Sequence, residues 1–444
     1  MDWQGETNRN RPGLKWGVVL TRKGIPHCCL ALFFYAKCVK KIDRPCVLAL
    51  NGGSSSIRFA VYEARKAPRL RLGGKIDRIG LSGTHLAARD GRGQPLPTVR
   101  VAAAGHHAAV VFLLDWLAAQ PIFASVRGIG HRIVNGMKHS EPERVAAPLL
   151  AALRRITPYD PDHLPRELAL IEAVAQRHPR LPLVACFDTA FHRTLPPVAR
   201  RLPIPRRYGA KGVERYGFHG LSCAFLMEEL RRLDPAAARG RVILAHLGNG
   251  ASVTAVRGGK SADTSMGFTP VAGLVMSTRS GDLDPGLVYY LARSEGMTAA
   301  QFHRMVNHES GLLGVSGTSS DVRDLLAAEA RDPRAAEALA LFCYQVKKWI
   351  GAYAAVLGGV ETIVFAGGIG ENAPRIRERI CAGLGFLGVA LDPRRNAANA
   401  ALISPGAGRV RVRVIHTDEE LMIARSVIRI VNPKVDASSR RSQS

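Results

Sequence analysis

Three glycine-rich turns, each directly after an apolar segment, are the parts of this 444-residue chain best suited to chemistry. They occupy residues 52–56, 248–250 and 367–372. Backbone amides in such turns can approach phosphate oxygens, because glycine has no Cβ to hold the ligand away. One turn of this kind is usually an ordinary tight turn. Three in the same context favour a site for a phosphorylated ligand.

Four polar residues stand where apolar segments end or where small residues cluster. Asp188 follows the segment 183–187, where a carboxylate could hold a metal ion or orient an acceptor group, although such a residue more often forms a turn or helix cap. His219 lies in a glycine-rich stretch. Arg132 could bind a carboxylate or phosphate with two hydrogen bonds. A lone arginine is usually a solvated surface charge, but Arg279 lies in a loop of small polar residues, which favours a binding role.

The elements that must position these residues alternate between strands and helices, which predicts the α/β fold class. Strands are predicted at residues 46–50, 57–62, 126–130, 183–187, 242–247, 252–256 and 362–366. Helices are predicted at residues 102–119, 167–177, 223–233, 285–294, 335–357 and 376–382.

A strand, a small-residue turn and a second strand occur twice, at residues 48–61 and again at residues 244–256. Each copy has the pattern of a β-hairpin. This repetition predicts two similar halves, and related halves commonly enclose a ligand cleft.

The composition excludes several classes of protein. With 47% hydrophobic and 22% charged residues, the chain is too apolar to be disordered. The longest nearly unbroken apolar run, residues 28–36, is far shorter than the roughly 20 residues that a bilayer helix needs. We therefore expect no membrane association.

Eight cysteines without a Cys-x-x-Cys pair predict reduced thiols in a cytoplasmic protein rather than a zinc site. The net charge of +26 raises nucleic-acid binding as a competing hypothesis. The arginines are spread along the whole chain, however, and aromatic residues are not interleaved with them as a single-strand groove requires. We expect no nucleic-acid partner.

Eight separate stretches, taken together and in this order, resemble the acetate kinase family, the short-chain carboxylate kinases. The stretches are NGGSSS at 51–56, FDTAFH at 187–192, RYGFHG at 215–220, HLGNG at 246–250, DTSMGFTP at 263–270, ESGLLG at 309–314, GGIGEN at 367–372 and TDEEL at 417–421.

The resemblance implies a fold of the actin-like, sugar-kinase-like (ribonuclease H-like) type, with two similar domains and an ATP cleft between them. It implies reversible phosphoryl transfer from ATP to acetate, giving acetyl phosphate and ADP, with Mg²⁺ for which Mn²⁺ may substitute. It also implies a homodimer. The expected domains are residues 45–191 with a C-terminal helix at 421–431, and residues 192–420. Residues 1–44 read as an extension or a start assigned too early, and residues 432–444 as a frayed tail.

Carried over by motif position, the resemblance assigns reaction and substrate roles to nine residues. The magnesium pair would be Asn51 and Glu419, the catalytic acid or base Asp188, the groups that stabilise the transition state His219 and Arg279, the acid-binding residue Arg132, and the apolar lining of the acyl group Val134, Phe218 and Pro270.

The remaining assignments concern the nucleotide. The first phosphate loop would contain Ser54, Ser56 and Arg58, the second phosphate loop His246, Leu247, Gly248, Asn249 and Gly250, and the adenosine site Asp321, Val322, Arg323, Gly368, Ile369, Gly370, Glu371 and Asn372.

Two departures from the family pattern leave the acceptor acid open. Relatives carry Ala-Pro-Leu-His-Asn-Pro where Tyr159 would replace the leucine and Asp160 the histidine, with His163 as a possible substitute. Cys223 stands where a second histidine is usual. Propionate, butyrate or another short acid is therefore an alternative acceptor. An actin-like ATPase that switches with nucleotide, without small-molecule chemistry, is the remaining competitor.

Overall fold

Two mixed β-sheets organise the protein, which is seen in a computed structural model that describes residues 44–53, 56–80, 82–102 and 105–431. The strands are β1 Cys46–Gly52, β2 Ile57–Glu63, β3 Arg69–Asp77, β4 His85–Asp90, β5 Val99–Arg100, β6 Val126–Ile133, β7 Glu143–Arg144, β8 Leu183–Phe187, β9 Arg241–Leu247, β10 Ala251–Arg257, β11 Lys260–Thr264, β12 Thr362–Ala366 and β13 Arg411–Val414.

Helices connect the strands and cover the sheets. The α-helices are α1 His106–Ala118, α2 Ala147–Ile156, α3 Leu164–Arg177, α4 Pro197–Arg200, α5 Arg206–Ala210, α6 Gly220–Leu233, α7 Pro235–Arg239, α8 Gly286–Ser294, α9 Ala299–Arg304, α10 Gly311–Ser316, α11 Val322–Ala328, α12 Pro333–Leu357, α13 Gly367–Asn372, α14 Pro374–Cys381, α15 Pro393–Ala397 and α16 Glu419–Val431. Short 3₁₀ segments lie at Pro121–Ser125, Thr157–Tyr159, Ala190–Thr194 and Gly385–Leu387, and a π-helical turn at Met305–Glu309.

The two sheets share one five-stranded topology. The first sheet runs β5-β4-β3-β2-β1-β6-β8-β7 and the second β11-β10-β9-β12-β13. In both, an antiparallel meander of three strands (β3-β2-β1 or β11-β10-β9) is followed by two strands parallel to the first strand of the meander. The predicted duplication is therefore real at the level of strand order. The predicted α/β class is confirmed.

The central strands are buried on both faces, which their composition explains. Strands β1, β8 and β12 consist almost entirely of apolar or small residues, and every residue in them is buried. Such runs are typical of strands with helices packed on both sides. Helix α12 covers the second sheet with a long apolar stripe. It is held at its ends by the Asp332 cap and by Gly358 at φ 68°.

The last helix of the described chain completes the first sheet. Helix α16 packs across β1, β6 and β8 through Ile423, Ala424 and Val427. Its close approach requires glycine on β6, because a Cβ on Gly130 would collide with Ile423 and lie 2.6 Å from Val427 Cγ2. One of the last segments of the described chain thus supports one of its first strands.

Each predicted strand and each predicted helix is confirmed, within a few residues at either end. The third glycine-rich segment differs from its prediction, since Gly367–Asn372 is a short helix rather than a turn. The described residues belong to one compact unit, and the predicted domain boundaries at 191 and 420 stay predictions. The predicted extension, apart from Arg44, and the predicted tail lie outside the described residues. Within the described part of the chain, no helix is both long and apolar enough to cross a bilayer.

Because α16 packs so closely on β6, one methyl group added at Gly130 should measurably lower the stability of the protein. We expect Gly130→Ala to lower the free energy of unfolding by about 1–3 kcal/mol, because the new Cβ overpacks Ile423 and Val427. Urea unfolding followed by circular dichroism measures it. The control is Gly351→Ala within α12, where no heavy atom lies within 4 Å of the new Cβ. That change should raise stability by about 0.5–1 kcal/mol. Equal effects of the two substitutions would contradict the packing argument.

Candidate active site

A cavity of about 760 Å³ opens where the central strands of both sheets end. Its walls include Asn51 at the end of β1, Arg132 near the end of β6, Gly248 after β9 and Gly367 after β12. Ligand sites in open α/β sheets commonly lie outside the carboxyl ends of the strands. The duplicated topology therefore brings two such edges to one cavity.

Most residues singled out from the sequence line this cavity. They are Asn51, Ser56, Arg58, Arg132, Val134, Phe218, His219, His246, Gly248, Asn249, Gly250, Pro270, Arg279, Asp321, Val322, Arg323, Gly368, Ile369, Glu371, Asn372 and Glu419. Three others are buried next to it: Asp188, Leu247 and Gly370. Ser54 lies outside the described residues.

Asp188 is fully buried and forms an ion pair with Arg132. Its Oδ2 accepts hydrogen bonds from Arg132 Nη2 at 2.8 Å and from the backbone N–H of His219 at 3.0 Å, and its Oδ1 accepts one from the backbone N–H of Leu221 at 3.2 Å. Burial alone would raise the pKa of Asp188, but Arg132 and these N–H groups outweigh it and hold the pKa below its usual value. Asp188 is therefore ionised near pH 7.

Arg132 keeps unused hydrogen-bonding capacity toward the cavity. Its side chain is 14% exposed, and its buried Nε has no partner among the described residues. Arg132 stays protonated despite its burial, because Asp188 and Glu419 raise its pKa more than burial lowers it. It can therefore accept a second anion.

The imidazole of His219 and the guanidinium of Arg279 converge on one point. A Cβ added to Gly250 would lie 3.2 Å from His219 Nε2 and 3.4 Å from Arg279 Nη1. Both donors therefore flank the same glycine of the predicted second phosphate loop. A single oxygen-rich group above Gly250 can contact both.

The backbone at His219 is unusual and is held by its neighbours. His219 precedes α6 with φ 58°, in the left-handed region that residues with a Cβ rarely adopt. Gly220 donates its N–H to the Asp188 carbonyl at 2.7 Å, and a Cβ at 220 would collide with that oxygen. This close approach explains the glycine after His219.

His219 stacks on His246, with ring centroids 4.2 Å apart. Burial, together with His246, Arg132 and Arg279, holds the pKa of His219 well below 6.5, so its ring is neutral near pH 7. Its Nδ1 lies 2.9 Å from Ser252 Oγ. If that hydroxyl donates to Nδ1, the ring proton is on Nε2 and points toward Gly250.

His246, the other ring of the stack, is held by a hydrogen bond to Ser222. Its Nδ1 lies 2.8 Å from Ser222 Oγ, which is also 2.8 Å from Thr417 Oγ1. Burial lowers the pKa of His246, so this ring too is neutral near pH 7. The stack therefore adds hydrogen-bonding groups to the cavity without adding charge.

Asn51 and Glu419, the predicted magnesium pair, are in contact. Asn51 Nδ2 donates to Glu419 Oε2 at 2.8 Å and to Glu420 Oε1 at 3.0 Å. Burial and the neighbouring Glu419 raise the pKa of Glu420. Carboxylate and amide oxygens at the edge of a cavity fit Mg²⁺, which keeps several waters and commonly shares its shell with substrate phosphates. Among the described residues, no cluster of three or more His, Cys, Asp or Glu could hold a metal ion.

The predicted adenosine residues line the same cavity, except Gly370, which is buried beside it. Gly367 has φ 74°, and a Cβ there would lie 2.6 Å from the Leu247 carbonyl oxygen, so the ends of β9 and β12 touch. Glu371 Oε1 accepts hydrogen bonds from the backbone of Gly367 at 2.9 Å and Thr417 at 3.1 Å. Asp321 caps α11 and pairs with the exposed Arg323. Arg323 and Asn372 are exposed polar residues in this part of the lining.

The histidine that is missing at Asp160 is found when the family stretch Ala-Pro-Leu-His-Asn-Pro is aligned three residues further along the chain. Set against residues 160–165, it matches both prolines and places its histidine at His163. His163 lines the cavity, and its Nδ1 lies 2.7 Å from Asp160 Oδ1. Tyr159 is not among the cavity residues, and it packs edge-on against Phe268 with centroids 5.6 Å apart. The structure favours this register, which moves the departure at the leucine position from Tyr159 to Asp162.

Several cavity residues had no individual assignment from the sequence, although some of them lay in segments already noted. Ser277 lies in the small-residue loop that carries Arg279, and Thr417 lies in the TDEEL stretch. Ser320 and Arg375 also line the cavity. Nothing in their local pattern separates them from ordinary loop and helix residues. Cys223, which stands at the usual histidine position, is buried, and its Sγ lies 3.7 Å from Thr254 Oγ1.

Comparison with known proteins agrees with this geometry. The model of the Acetokinase family matches residues 46–425. A propionate kinase from Citrobacter rodentium is 44% identical over 86% of this chain and 96% of its own length, and an acetate kinase from Rhodopseudomonas palustris is 42% identical over 87% and 98%.

Solved structures give the same result. The crystal structure of Porphyromonas gingivalis acetate kinase is 36% identical, with a TM-score of 0.77 over 87% of this chain and 100% of that one. A propionate kinase from Francisella tularensis is 33% identical, with a TM-score of 0.80 over 86% and 99%. The chain therefore belongs to the acetokinase family.

Proposed function

We propose that the protein is an acetate kinase, which transfers the γ-phosphoryl group of ATP reversibly to acetate and forms acetyl phosphate and ADP. The observation that carries the proposal is the convergence of His219 Nε2 and Arg279 Nη1 beside Gly250. Arg132, a second cation, lines the same cavity. Phosphoryl transfer depends mainly on positioning and charge stabilisation, and this arrangement provides both.

The acid binds to Arg132. Acetate and the γ-phosphate are both anions and repel one another, so each must be held by positive groups if they are to meet. The free N–H groups of Arg132 take the carboxylate, while Asp188 fixes the guanidinium from behind. Val134, Phe218 and Pro270 line the cavity with apolar groups for the methyl group.

The transition state is stabilised by His219 and Arg279. Its negative charge spreads over three equatorial oxygens, and the two donors contact those oxygens from above Gly250. A neutral His219 acts as a hydrogen-bond donor rather than as a cation. Asp188, ionised and saturated with N–H donors, acts in this scheme by positioning Arg132 and His219. Its predicted role as acid or base stays a prediction.

The nucleotide binds along the glycine-rich segments. Backbone N–H groups of residues 52–56 and 248–250 hold the phosphates, with Ser54, Ser56, Arg58 and His246 around them. Asp321–Arg323 and residues 368–372 hold the adenosine. Asn51 and Glu419 hold Mg²⁺, for which Mn²⁺ can substitute, and this ion neutralises phosphate charge when bound.

Propionate is the second candidate acceptor. Propionate kinases and acetate kinases stand at similar identity to the chain. The apolar lining by Val134, Phe218 and Pro270 would also accept one further methylene, which a hydrophobic pocket discriminates by only about 1–3 kcal/mol.

The purified protein should release ADP from ATP when short acids are present. In a coupled assay we expect kcat/KM to be highest for acetate, lower for propionate and lowest for butyrate. Omitting Mg²⁺ should reduce the rate to background, and Mn²⁺ should restore part of it. A higher kcat/KM for propionate would favour the second candidate. ADP release that is independent of any acid would instead favour a nucleotide-switching ATPase.

Arg279→Ala should lower turnover with acetate by about two to four powers of ten, because one of the two donors above Gly250 is lost. The melting temperature should change little. The control is Arg331→Ala, at an exposed arginine on the surface. Normal turnover in Arg279→Ala would remove this residue from the mechanism.

We also propose that the protein is a cytoplasmic homodimer. Helix α8 has no buried residue, and Leu283, Val288, Tyr289 and Tyr290 around it are 44%, 44%, 73% and 62% exposed. A contiguous apolar surface of this kind is typical of an interface.

The five described cysteines are free and buried, which suits a reducing compartment.

Light scattering should give twice the chain mass of 47.9 kDa. The double variant Tyr289→Glu, Tyr290→Glu should give the mass of one chain, because two charges would be buried in the interface. Val198→Glu, at a residue 86% exposed elsewhere on the surface, should leave the mass unchanged. A dimeric double variant would refute α8 as the interface.

A further inference from the structure

Glu167 lies buried directly behind the wall of the cavity. It belongs to the first turn of α3, and both of its carboxyl oxygens are 3.1 Å from one donor, the backbone N–H of Val134. Within the described part of the chain, that N–H is its only hydrogen-bond partner. Val134 and Arg132, two residues apart on the same segment, both face the cavity.

A carboxyl group in this position has little to stabilise its negative charge. Buried carboxylates are normally paired with a cation or held by several N–H groups, and Glu167 has one shared N–H. Burial, with help from Asp160 and Asp188, raises its pKa to about 8, although Arg132 and the Val134 N–H oppose the rise. Near pH 7 the group is mostly neutral.

Charged and titratable groups face Glu167 from every element around it. Arg132 lies on β6, Asp188 follows β8, and Asp160 precedes α3. Across a small neighbouring cavity, Asp162, His163 and Arg166 come from the α3 segment and His106 from α1. Of these groups, Arg132 and His163 also line the large cavity, and Arg132 is the one proposed to bind the acid.

We propose that Glu167 is a positioning residue that controls acid binding through its proton: when neutral it supports the wall at Val134 and leaves Arg132 free for the substrate, and when ionised it competes for the charge of Arg132. The inference rests on the proposed function, because it names the state of the site in which the carboxylic acid binds.

The direction of the effect follows from the charges. The charges of Arg132 and Asp188 cancel. When a carboxylate binds, the three groups together therefore carry one negative charge. Ionised Glu167 would bring it to two in a low-dielectric site, which weakens acid binding as pH rises through about 8. By linkage, a bound acid must raise the affinity of Glu167 for its proton.

The first experiment measures KM for acetate, KM for ATP and kcat between pH 6.5 and 9.5. In the wild-type enzyme, KM for acetate should rise about fivefold from pH 7 to pH 9, on the way to the limiting tenfold of a coupling of one pKa unit. KM for ATP should change much less. Glu167→Gln, which is always neutral, should keep a low and nearly constant KM for acetate. Glu167→Asp should keep the pH dependence, because it can still ionise.

The matched control is Glu172→Gln on the same helix, where the side chain is 41% exposed and pairs with Arg154. It should show the wild-type profile. Melting temperatures of all variants exclude simple loss of folding.

A second experiment reads the proton directly. Calorimetry of acetate binding at pH 8, in two buffers of different ionisation enthalpy, should show net proton uptake by the wild-type protein and none by Glu167→Gln. An active enzyme with a flat KM profile, or a Glu167→Gln variant with the wild-type rise, would overturn the role of Glu167 alone. An enzyme that phosphorylates no acid at any pH would contradict the proposed function and this inference with it.

Discussion

The buried pair of Asp188 and Arg132 is the interaction on which the site depends. It joins the ends of two neighbouring parallel strands, β6 and β8. Removing one partner of such a pair typically costs about 3–5 kcal/mol, because the other charge stays buried without compensation. The same carboxylate also holds the backbone of His219 and Leu221. One residue therefore orients both the cation for the acid and the imidazole beside the phosphate loop.

The duplicated topology explains why residues so distant in sequence meet. Each half ends its first strand with a small-residue turn, at Gly52–Gly53 in one half and Gly248 in the other, and both turns face the same cavity. Arg132 comes from β6 of the first sheet, His219 precedes α6, and Arg279 follows β11 of the second sheet, and all three line the cavity. Neither sheet alone holds an acid and a phosphate against one another.

The fold was largely predictable because its central strands are continuous apolar runs bounded by glycine. The predicted strands at 46–50 and 362–366 were found for that reason. Strands β3 and β13 were not predicted, because Arg69–Asp77 and Arg411–Val414 contain no long apolar run, although their alternation of charged and apolar residues fits a half-buried strand. Their place is set by pairing with β2 and β12, which is a tertiary effect.

Site residues could be predicted where they lie in a recognisable sequence motif. Residues whose role depends on being buried in the folded protein could not. Arg279 and His219 stand in recognisable loops. Glu167 looks like an ordinary first-turn glutamate of a helix, and only its position behind Val134 distinguishes it. The register at His163 was available from the sequence alone, because residues 160–165 match both prolines and the histidine of the family stretch, whereas residues 157–162 match only one proline.

Helix α16 has a consequence for how the protein is made. The apolar face formed by Val47, Ala49 and Val184 is covered by Ile423 and Val427, which are synthesised long after the strands they cover. Until then the nascent first sheet has an uncovered face, and its closure joins contacts of very large sequence separation, which slows folding. Newly made chains therefore pass through an interval in which that face is open to chaperones or to other nascent chains.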